Sequence, residues 1–177
     1  MGVLIALVLV LVWVGWLRDA RSMTHPIRAI VQIRTQDELR VLGYINMDQV
    51  EGGTHIYGTL TGLPPGEHGF HIHEKGNPKD CCAGLGGHYN PYKTVHGDRC
   101  RPVRHVGDLG NICVAANGSV KIDVTDNQVA LYGPTSVMGR SIVIHSDKDD
   151  CGMGGTPASL KNGNSGEMIA YGIIGYM

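Results

Sequence analysis

The stretch Gly69-Phe70-His71-Ile72-His73 organises the interpretation of this chain. It is typical of a β-strand, with two histidines separated by one apolar residue. Because side chains alternate between the two faces of a strand, His71 and His73 lie on the same face. Two imidazoles on one face make half of a metal site. We therefore expect other parts of the chain to supply the remaining ligands.

The composition favours a single β-rich domain. The 177 residues suffice for one buried core, and 26 glycines against one phenylalanine indicate short strands and many turns. No long segment shows helical periodicity. The net charge of −1 gives no case for nucleic-acid binding. The five cysteines include no Cys-x-x-Cys pair, which argues against a thiolate zinc site or a thioredoxin-like motif.

The N-terminus carries an uncharged apolar run at residues 3–17. As a helix it would reach about 22 Å, short of a hydrocarbon core of about 30 Å. This length is typical of a secretory signal, whereas Arg18 and Arg21 after it suit an uncleaved anchor with a cytosolic C-terminus. We predict a signal peptide or membrane anchor at residues 1–22, followed by a folded domain at 27–177. The domain is then secreted or membrane-anchored, and a cytosol-facing anchor stays open.

Eight short strands separated by turns are predicted after Ile27. The first four are spaced like a meander of hairpins, and the whole pattern is typical of a sandwich or barrel. Asn117-Gly118 predicts a two-residue hairpin; with Ser119 it is also a formal glycosylation acceptor, for which the turn is the preferred interpretation. The predicted strands are Arg28–Arg34, Arg40–Met47, Thr54–Thr61, Gly69–His73, Leu109–Ala115, Val120–Thr125, Arg140–His145 and Met168–Tyr176.

Two long loops interrupt this rhythm, the first loop at residues 75–107 and the second loop at residues 146–167. Histidines in the first loop indicate a segment that metal binding orders. Together the strands and loops offer more ligands than one tetrahedral site needs, and about the number for two sites that share one. Imidazole suits copper and zinc, and an aspartate completes a zinc site. The candidate ligands are His71, His73, His88, His96, His105, Asp108 and His145.

Residues 27–177 resemble the copper/zinc superoxide dismutase family. Five blocks match that family in order and spacing: Gly-Phe-His-Ile-His-Glu, Gly-His-Tyr-Asn-Pro, His-Gly-Asp, Arg-His-Val-Gly-Asp-Leu-Gly-Asn and Ile-Val-Ile-His. The resemblance implies an eight-stranded Greek-key β-sandwich, or flattened barrel. It also implies conversion of superoxide into oxygen and hydrogen peroxide. A homodimer and delivery of copper by a chaperone are left open.

The resemblance also implies a role for each candidate ligand. His88 would bridge the two metals, leave copper when copper is reduced and carry a catalytic proton. Asp149 would hydrogen-bond one ligand from each site, and His68 would be structural. The implied copper ligands are His71, His73, His88 and His145, and the implied zinc ligands are His88, His96, His105 and Asp108.

Two family positions are substituted. Met168 stands where the family has an arginine that holds the anion beside copper, and methionine supplies neither charge nor hydrogen-bond donors. Tyr171 stands where the family has the cysteine that would pair with Cys82. A disulfide of Cys100 with Cys82, or with Cys81, would be a replacement. The second loop also has two lysines against four carboxylates, a poor attractor for an anion.

These departures leave two functional hypotheses. The first is a superoxide dismutase of reduced activity, because every metal ligand is present. The second is a metal-binding homologue with little or no catalysis that acts as a metal buffer or scaffold. A copper chaperone is disfavoured because the chain has no Met-x-Cys-x-x-Cys motif.

Overall fold

A computed structural model describes residues 27–37 and 39–177, with the side chains of residues 80–82 left aside. The predicted signal peptide or anchor at residues 1–22 lies outside the described residues. Within the described ranges, no helix is long and apolar enough to span a membrane. The strands are β1 Arg28–Thr35, β2 Val41–Val50, β3 Gly53–Thr61, β4 Gly66–His73, β5 Asp108–Val114, β6 Ser119–Asp126, β7 Ser141–His145, β8 Met168–Ile173 and β9 Gly175–Tyr176.

The strands form one antiparallel sheet that curls into a nearly closed barrel, in the order β5-β4-β7-β8-β1-β2-β3-β6, with β9 paired to β1. This confirms the predicted all-β class. The last predicted strand is split into β8 and β9. Ile174 causes the break, because its amide and carbonyl bond to Arg140 and Gly139 instead of β1. Two short helices, α1 Cys81–Leu85 and α2 Ser159–Asn162, lie in the two loops.

The predicted meander of four strands is wrong at its last step. Strands β1 to β3 are consecutive neighbours, but β3 pairs with β6, and β4 lies between β5 and β7. Pro64 and Pro65 separate β3 from β4, and neither has an amide hydrogen with which to extend a ladder. The amides of Gly62 and Leu63 instead donate to the carbonyl of Gly118 in the β5–β6 hairpin. The chain therefore crosses over, as a Greek key requires.

Strand β4 has both of its faces covered. Phe70 and Ile72 point into the main core, while His71 and His73 lie on the outer face beneath the two loops. A Cβ atom on Gly69 would lie 2.7 Å from the Cβ of Ser165, so the second loop sits directly against the strand. This double covering explains why six consecutive residues, 68–73, are buried.

A buried ion pair fixes the end of the first loop. The Nη2 atom of Arg104 donates to both carboxylate oxygens of Asp126, at 2.7 and 2.9 Å. Its Nη1 atom donates to the carbonyls of His105 and Asp108. The guanidinium therefore ties the loop that carries His105 to the end of β6.

We expect Asp126→Asn to destabilise the protein by about 3–5 kcal/mol, because it leaves the buried Arg104 guanidinium without a counter-charge. Urea unfolding of the metal-free protein measures the change. Asp123→Asn is the matched control, since the Asp123 side chain is 55% exposed and pairs with Lys121 at the surface. Equal midpoints for the two variants would contradict the structural role of the buried pair.

Candidate metal centre

The fold brings all seven candidate ligands into two groups of four that share His88. Within each group the donor atoms all lie within 4.8 Å of one another. Each of the seven side chains belongs to a residue that is at most 8% exposed. One group is His71, His73, His88 and His145, and the other is His88, His96, His105 and Asp108.

The second group is arranged around one carboxylate oxygen. The Nδ1 atoms of His88, His96 and His105 lie 2.9, 3.0 and 3.2 Å from Oδ1 of Asp108. His96 Nδ1 nevertheless makes no hydrogen bond. Four ligands at about 2.05 Å around a tetrahedral zinc ion would be about 3.3 Å apart. The other carboxylate oxygen, Oδ2, accepts from the amides of Gly97 and His105, which leaves Oδ1 facing the imidazoles.

In the first group, hydrogen bonds select which ring nitrogen carries a lone pair. His71 Nε2 lies 2.8 Å from Oδ2 of Asp149 and donates to it. His73 Nδ1 donates to the carbonyl of Gly86 at 2.7 Å, and His145 Nδ1 donates to that of Gly166 at 3.2 Å. Their remaining nitrogens therefore carry lone pairs. These are the nitrogens that a metal ion would bind.

The first group fits a bound cation. The Nε2 atoms of His73 and His145 are 3.3 Å apart, and two lone pairs cannot hydrogen-bond to each other. His71 Nδ1 and His88 Nε2 are buried and have no hydrogen-bond partner among the described residues. An unpaired buried polar atom is costly, whereas a metal ion placed among these nitrogens satisfies them.

His88 faces both groups. Its Nδ1 atom belongs to the cluster around Asp108, and its Nε2 atom faces the other imidazoles. The ring of His71 lies 3.9 Å from that of His88, measured between centroids. An imidazole can bind a metal through each nitrogen only after it has lost its ring proton. His88 therefore offers one ring nitrogen to each group.

Asp149 links the two groups from the opposite side. Its buried carboxylate accepts from His71 Nε2 at 2.8 Å and from His96 Nε2 at 2.7 Å. These bonds direct the Nδ1 atom of each ring towards its own group. Asp149 is thus hydrogen-bonded to one residue of each group.

Two residues that support Asp149 were missed by the sequence interpretation. The side chain of Asn111 bonds both the carbonyl and the amide of Asp149, at 2.8 and 2.7 Å. Gly163 adopts a φ of +66°, and a Cβ atom there would collide with Asp149 Oδ1 and His96 Nε2. Asn111 belongs to one of the matched blocks. The residue that its side chain bonds is 38 positions away, and no local sequence pattern predicts that contact.

His68 stands apart from both groups. Its ring nitrogens lie 2.8 Å from the carbonyl of His145 and 2.9 Å from that of Pro64. Both are engaged by the backbone, so His68 has no nitrogen with which to bind metal. Its contact with His145 makes it a structural support beneath that strand.

Burial sets the charge of the first group. Desolvation lowers the pKa of His71 well below its usual value, that of His73 to about 3 and that of His145 to about 4. These imidazoles are neutral at pH 7 and ready to bind metal. For His96, burial is outweighed by Asp108 and Asp149, which raise its pKa to about 9.

A cleft of about 590 Å³ leads to these histidines from solvent. Its walls include His73, His88, His105 and His145, together with α2. Among the described residues that line it, Lys161 carries the only formal positive charge. Met168 lies opposite His145 in the β7–β8 ladder, next to a register irregularity.

The substituted positions 168 and 171 belong to a small apolar cluster outside the main core. Tyr171 is buried with Leu85 and Val143, and Met168 and Ile173 pack against them. The side chains of Cys81 and Cys82 lie outside the described residues, so the pairing of Cys100 with either one stays a prediction. Tyr171 therefore contacts the α1 segment of the first loop without a covalent bond.

The comparisons with known proteins agree with this geometry. The family model described as copper/zinc superoxide dismutase matches residues 41–174. The extracellular superoxide dismutase [Cu-Zn] of Brugia pahangi is 43% identical over 157 residues, covering 87% of this chain and 78% of the relative. The superoxide dismutase [Cu-Zn] of Onchocerca volvulus is 47% identical over 139 residues, covering 76% and 88%.

A solved structure is similar as well. The crystal structure of the clock protein EA4 superposes on this chain with a TM-score of 0.81 at 43% sequence identity. The match covers 88% of this chain and 98% of the EA4 chain. Sequence, fold and the paired ligand groups lead to one conclusion. The chain belongs to the copper/zinc superoxide dismutase family.

Proposed function

We propose that this protein dismutates superoxide at a copper ion joined to zinc through His88. The observation that carries this proposal is the position of His88, whose two ring nitrogens face two different groups of buried ligands. In this assignment, copper is held by His71, His73, His88 and His145. Zinc is held by His88, His96, His105 and Asp108.

Each side chain has a distinct task in this reaction. Copper bound by its four imidazoles would supply the one-electron chemistry that converts two superoxide ions and two protons into oxygen and hydrogen peroxide, and the zinc ligands would hold His88 in place. The Nε2 atom of His88 is positioned to take up a proton while Nδ1 stays with the zinc ligands. Asp149 holds the rings of His71 and His96 in fixed orientations throughout.

Lys161 is the side chain we assign to anion attraction. The second loop is acidic by residue count, but its carboxylates are not all free to repel an anion. Asp149 is buried against imidazoles, and Asp150 accepts from Ser159 and Asn164 within the loop. Lys161 is 1 residue from the end of α2 and lines the cleft.

The second hypothesis is a metal-binding homologue with weak or no catalysis, used as a metal buffer or scaffold. Met168 is the observation that favours it. A thioether packed against Leu85 and Tyr171 gives the cleft no cation where the family has an arginine. The two hypotheses share the metal centre and differ only in turnover.

We also propose that the protein is secreted. The support is the apolar run at residues 3–17, together with a relative from Brugia pahangi that is named as extracellular. An anchor, a homodimer and a copper chaperone partner stay predictions.

Purified, metal-loaded protein should dismutate superoxide faster than an equivalent concentration of free copper. Met168→Arg should raise kcat/KM roughly 10- to 100-fold, because a cation beside the copper ligand His145 attracts the anion. A pulse-radiolysis or cytochrome c competition assay measures both rates. Met168→Gln is the matched neutral control and should not accelerate turnover. If neither the native protein nor Met168→Arg turned over superoxide, the metal-buffer hypothesis would replace the enzyme.

Lys161→Gln should lower kcat/KM roughly 2- to 10-fold and flatten its dependence on ionic strength, because the cleft loses its lining cation. The measurement is the dismutation rate at several salt concentrations. Lys121→Gln makes the same charge change on β6, where the side chain is 77% exposed and pairs with Asp123. A loss of rate that is the same in both variants would show a general charge effect, and Lys161 would have no special role.

Zinc binding to the metal-free protein should release about one proton at pH 7.5 and progressively fewer as the pH rises through 9. The reason is that His96, with its pKa raised to about 9, is protonated below that pH and must lose the Nδ1 proton to bind zinc. Apparent zinc affinity therefore increases with pH up to about 9. Titration calorimetry in two buffers of different ionisation enthalpy measures the release, and a constant value from pH 7.5 to 10 would rule out this assignment.

A further inference from the structure

The outer face of the barrel carries a row of side chains that connects the copper ligands to position 171. His71 on β4 is opposite Val143 on β7, and Val143 is opposite Tyr171 on β8. Side chains in one row across neighbouring strands share a face of the sheet. Tyr171 thus lies two strands away from His71, on the face that bears the metal ligands.

The register irregularity between Ile144 and His145 adds Met168 to this face. It makes His145 the partner of Met168, while Ile144 keeps Ala170 as its partner. Met168 therefore packs with Tyr171 on the outer apolar cluster, and the intervening Ile169 packs on the main core. Met168 and Tyr171, the two substituted family positions identified from the sequence, therefore belong to the same cluster.

That cluster ends on the first loop. Leu85, the last residue of α1, is 1% exposed and packs with Tyr171 and Val143. The next residue, Gly86, provides the carbonyl that accepts from His73 Nδ1 at 2.7 Å. A short path therefore leads from the ring of Tyr171 through Leu85 to the orientation of His73.

The backbone around Leu85 is also joined to the end of β4. The amide of Lys75 donates to the carbonyl of Leu85 at 3.0 Å, and that of Glu74 donates to the carbonyl of Gly87 at 2.9 Å. These hydrogen bonds form only while residues 85–87 lie beside the end of β4. The side chain of Leu85 is held on the barrel by the cluster that it forms with Tyr171 and Val143.

We propose that Tyr171 is a positioning residue for the copper site: its ring holds Leu85 against the barrel and thereby fixes the Gly86 carbonyl that orients His73. This inference rests on the proposed assignment of His73 to copper. It gives Tyr171 the task of keeping the α1 segment in place without a covalent link. The orientation of a metal-bound imidazole depends on the acceptor of its other nitrogen, so a displaced Gly86 alters the copper geometry.

The test compares Tyr171→Ala with Tyr171→Phe, both measured under reducing conditions so that no disulfide contributes. Tyr171→Ala should weaken copper(II) binding about tenfold or more, shift the copper(II) EPR parameters and leave zinc affinity within about threefold. Tyr171→Phe keeps the packing and should retain the native EPR spectrum. Ile169→Ala is the control on the same strand, and it should lower stability without changing the spectrum.

Hydrogen exchange in the metal-free protein gives a second measurement that does not depend on copper. The amides of Glu74 and Lys75 should exchange faster in Tyr171→Ala, and also in Leu85→Val, which removes part of the packing but keeps an apolar side chain in case the alanine variant fails to fold. Native EPR parameters together with native protection of both amides would overturn the proposal. If the native protein bound no copper, the proposed function would fail, while these two amides would still decide whether Tyr171 holds the loop.

Discussion

Six imidazoles and two carboxylates are buried together in this protein, and that is favourable only if each polar atom has a partner. For every ring except that of His88, the structure meets the requirement by pointing one nitrogen outward to a fixed acceptor. Backbone carbonyls serve His73 and His145, and Asp149 serves His71 and His96. In the group of His71, His73 and His145, the inward nitrogens are then left as lone pairs that a bound cation would satisfy. The remaining features of the fold keep those acceptors in place.

The two loops can supply acceptors because close contacts hold them on the barrel. Gly69 lets Ser165 approach β4, and Gly163 leaves room for the bond between Asp149 and His96. Arg104 anchors the end of the first loop through Asp126, a residue of the barrel itself. The paired strands β4 and β7 thus provide three imidazoles, the start of β5 provides Asp108, and the first loop provides the other three imidazoles.

Local patterns predicted most strands and all seven candidate ligands, because the alternation of apolar and polar residues and the spacing of histidines can be recognised in short stretches of sequence. They did not predict that β4 leaves β3 to lie between β5 and β7, since strand pairing depends on contacts far apart in sequence. The support of Asp149 by Asn111 was missed for the same reason, and Gly163 looked like any loop glycine. The splitting of β8 from β9 depends on Ile174 bonding to a distant turn. Sequence therefore predicted the chemistry of the centre better than the contacts that hold it.

The placement of charge shows why metal binding and anion attraction must be considered separately. Counting residues makes the second loop unfavourable for superoxide, yet Asp149 and Asp150 direct their carboxylates into hydrogen bonds, while Lys161 lines the cleft. Met168 removes a cation without disturbing any of the seven ligands, because it packs with Tyr171 on the apolar cluster beside them. The substitutions at 168 and 171 therefore lie in the apolar cluster beside the site and leave all seven candidate donor side chains in place.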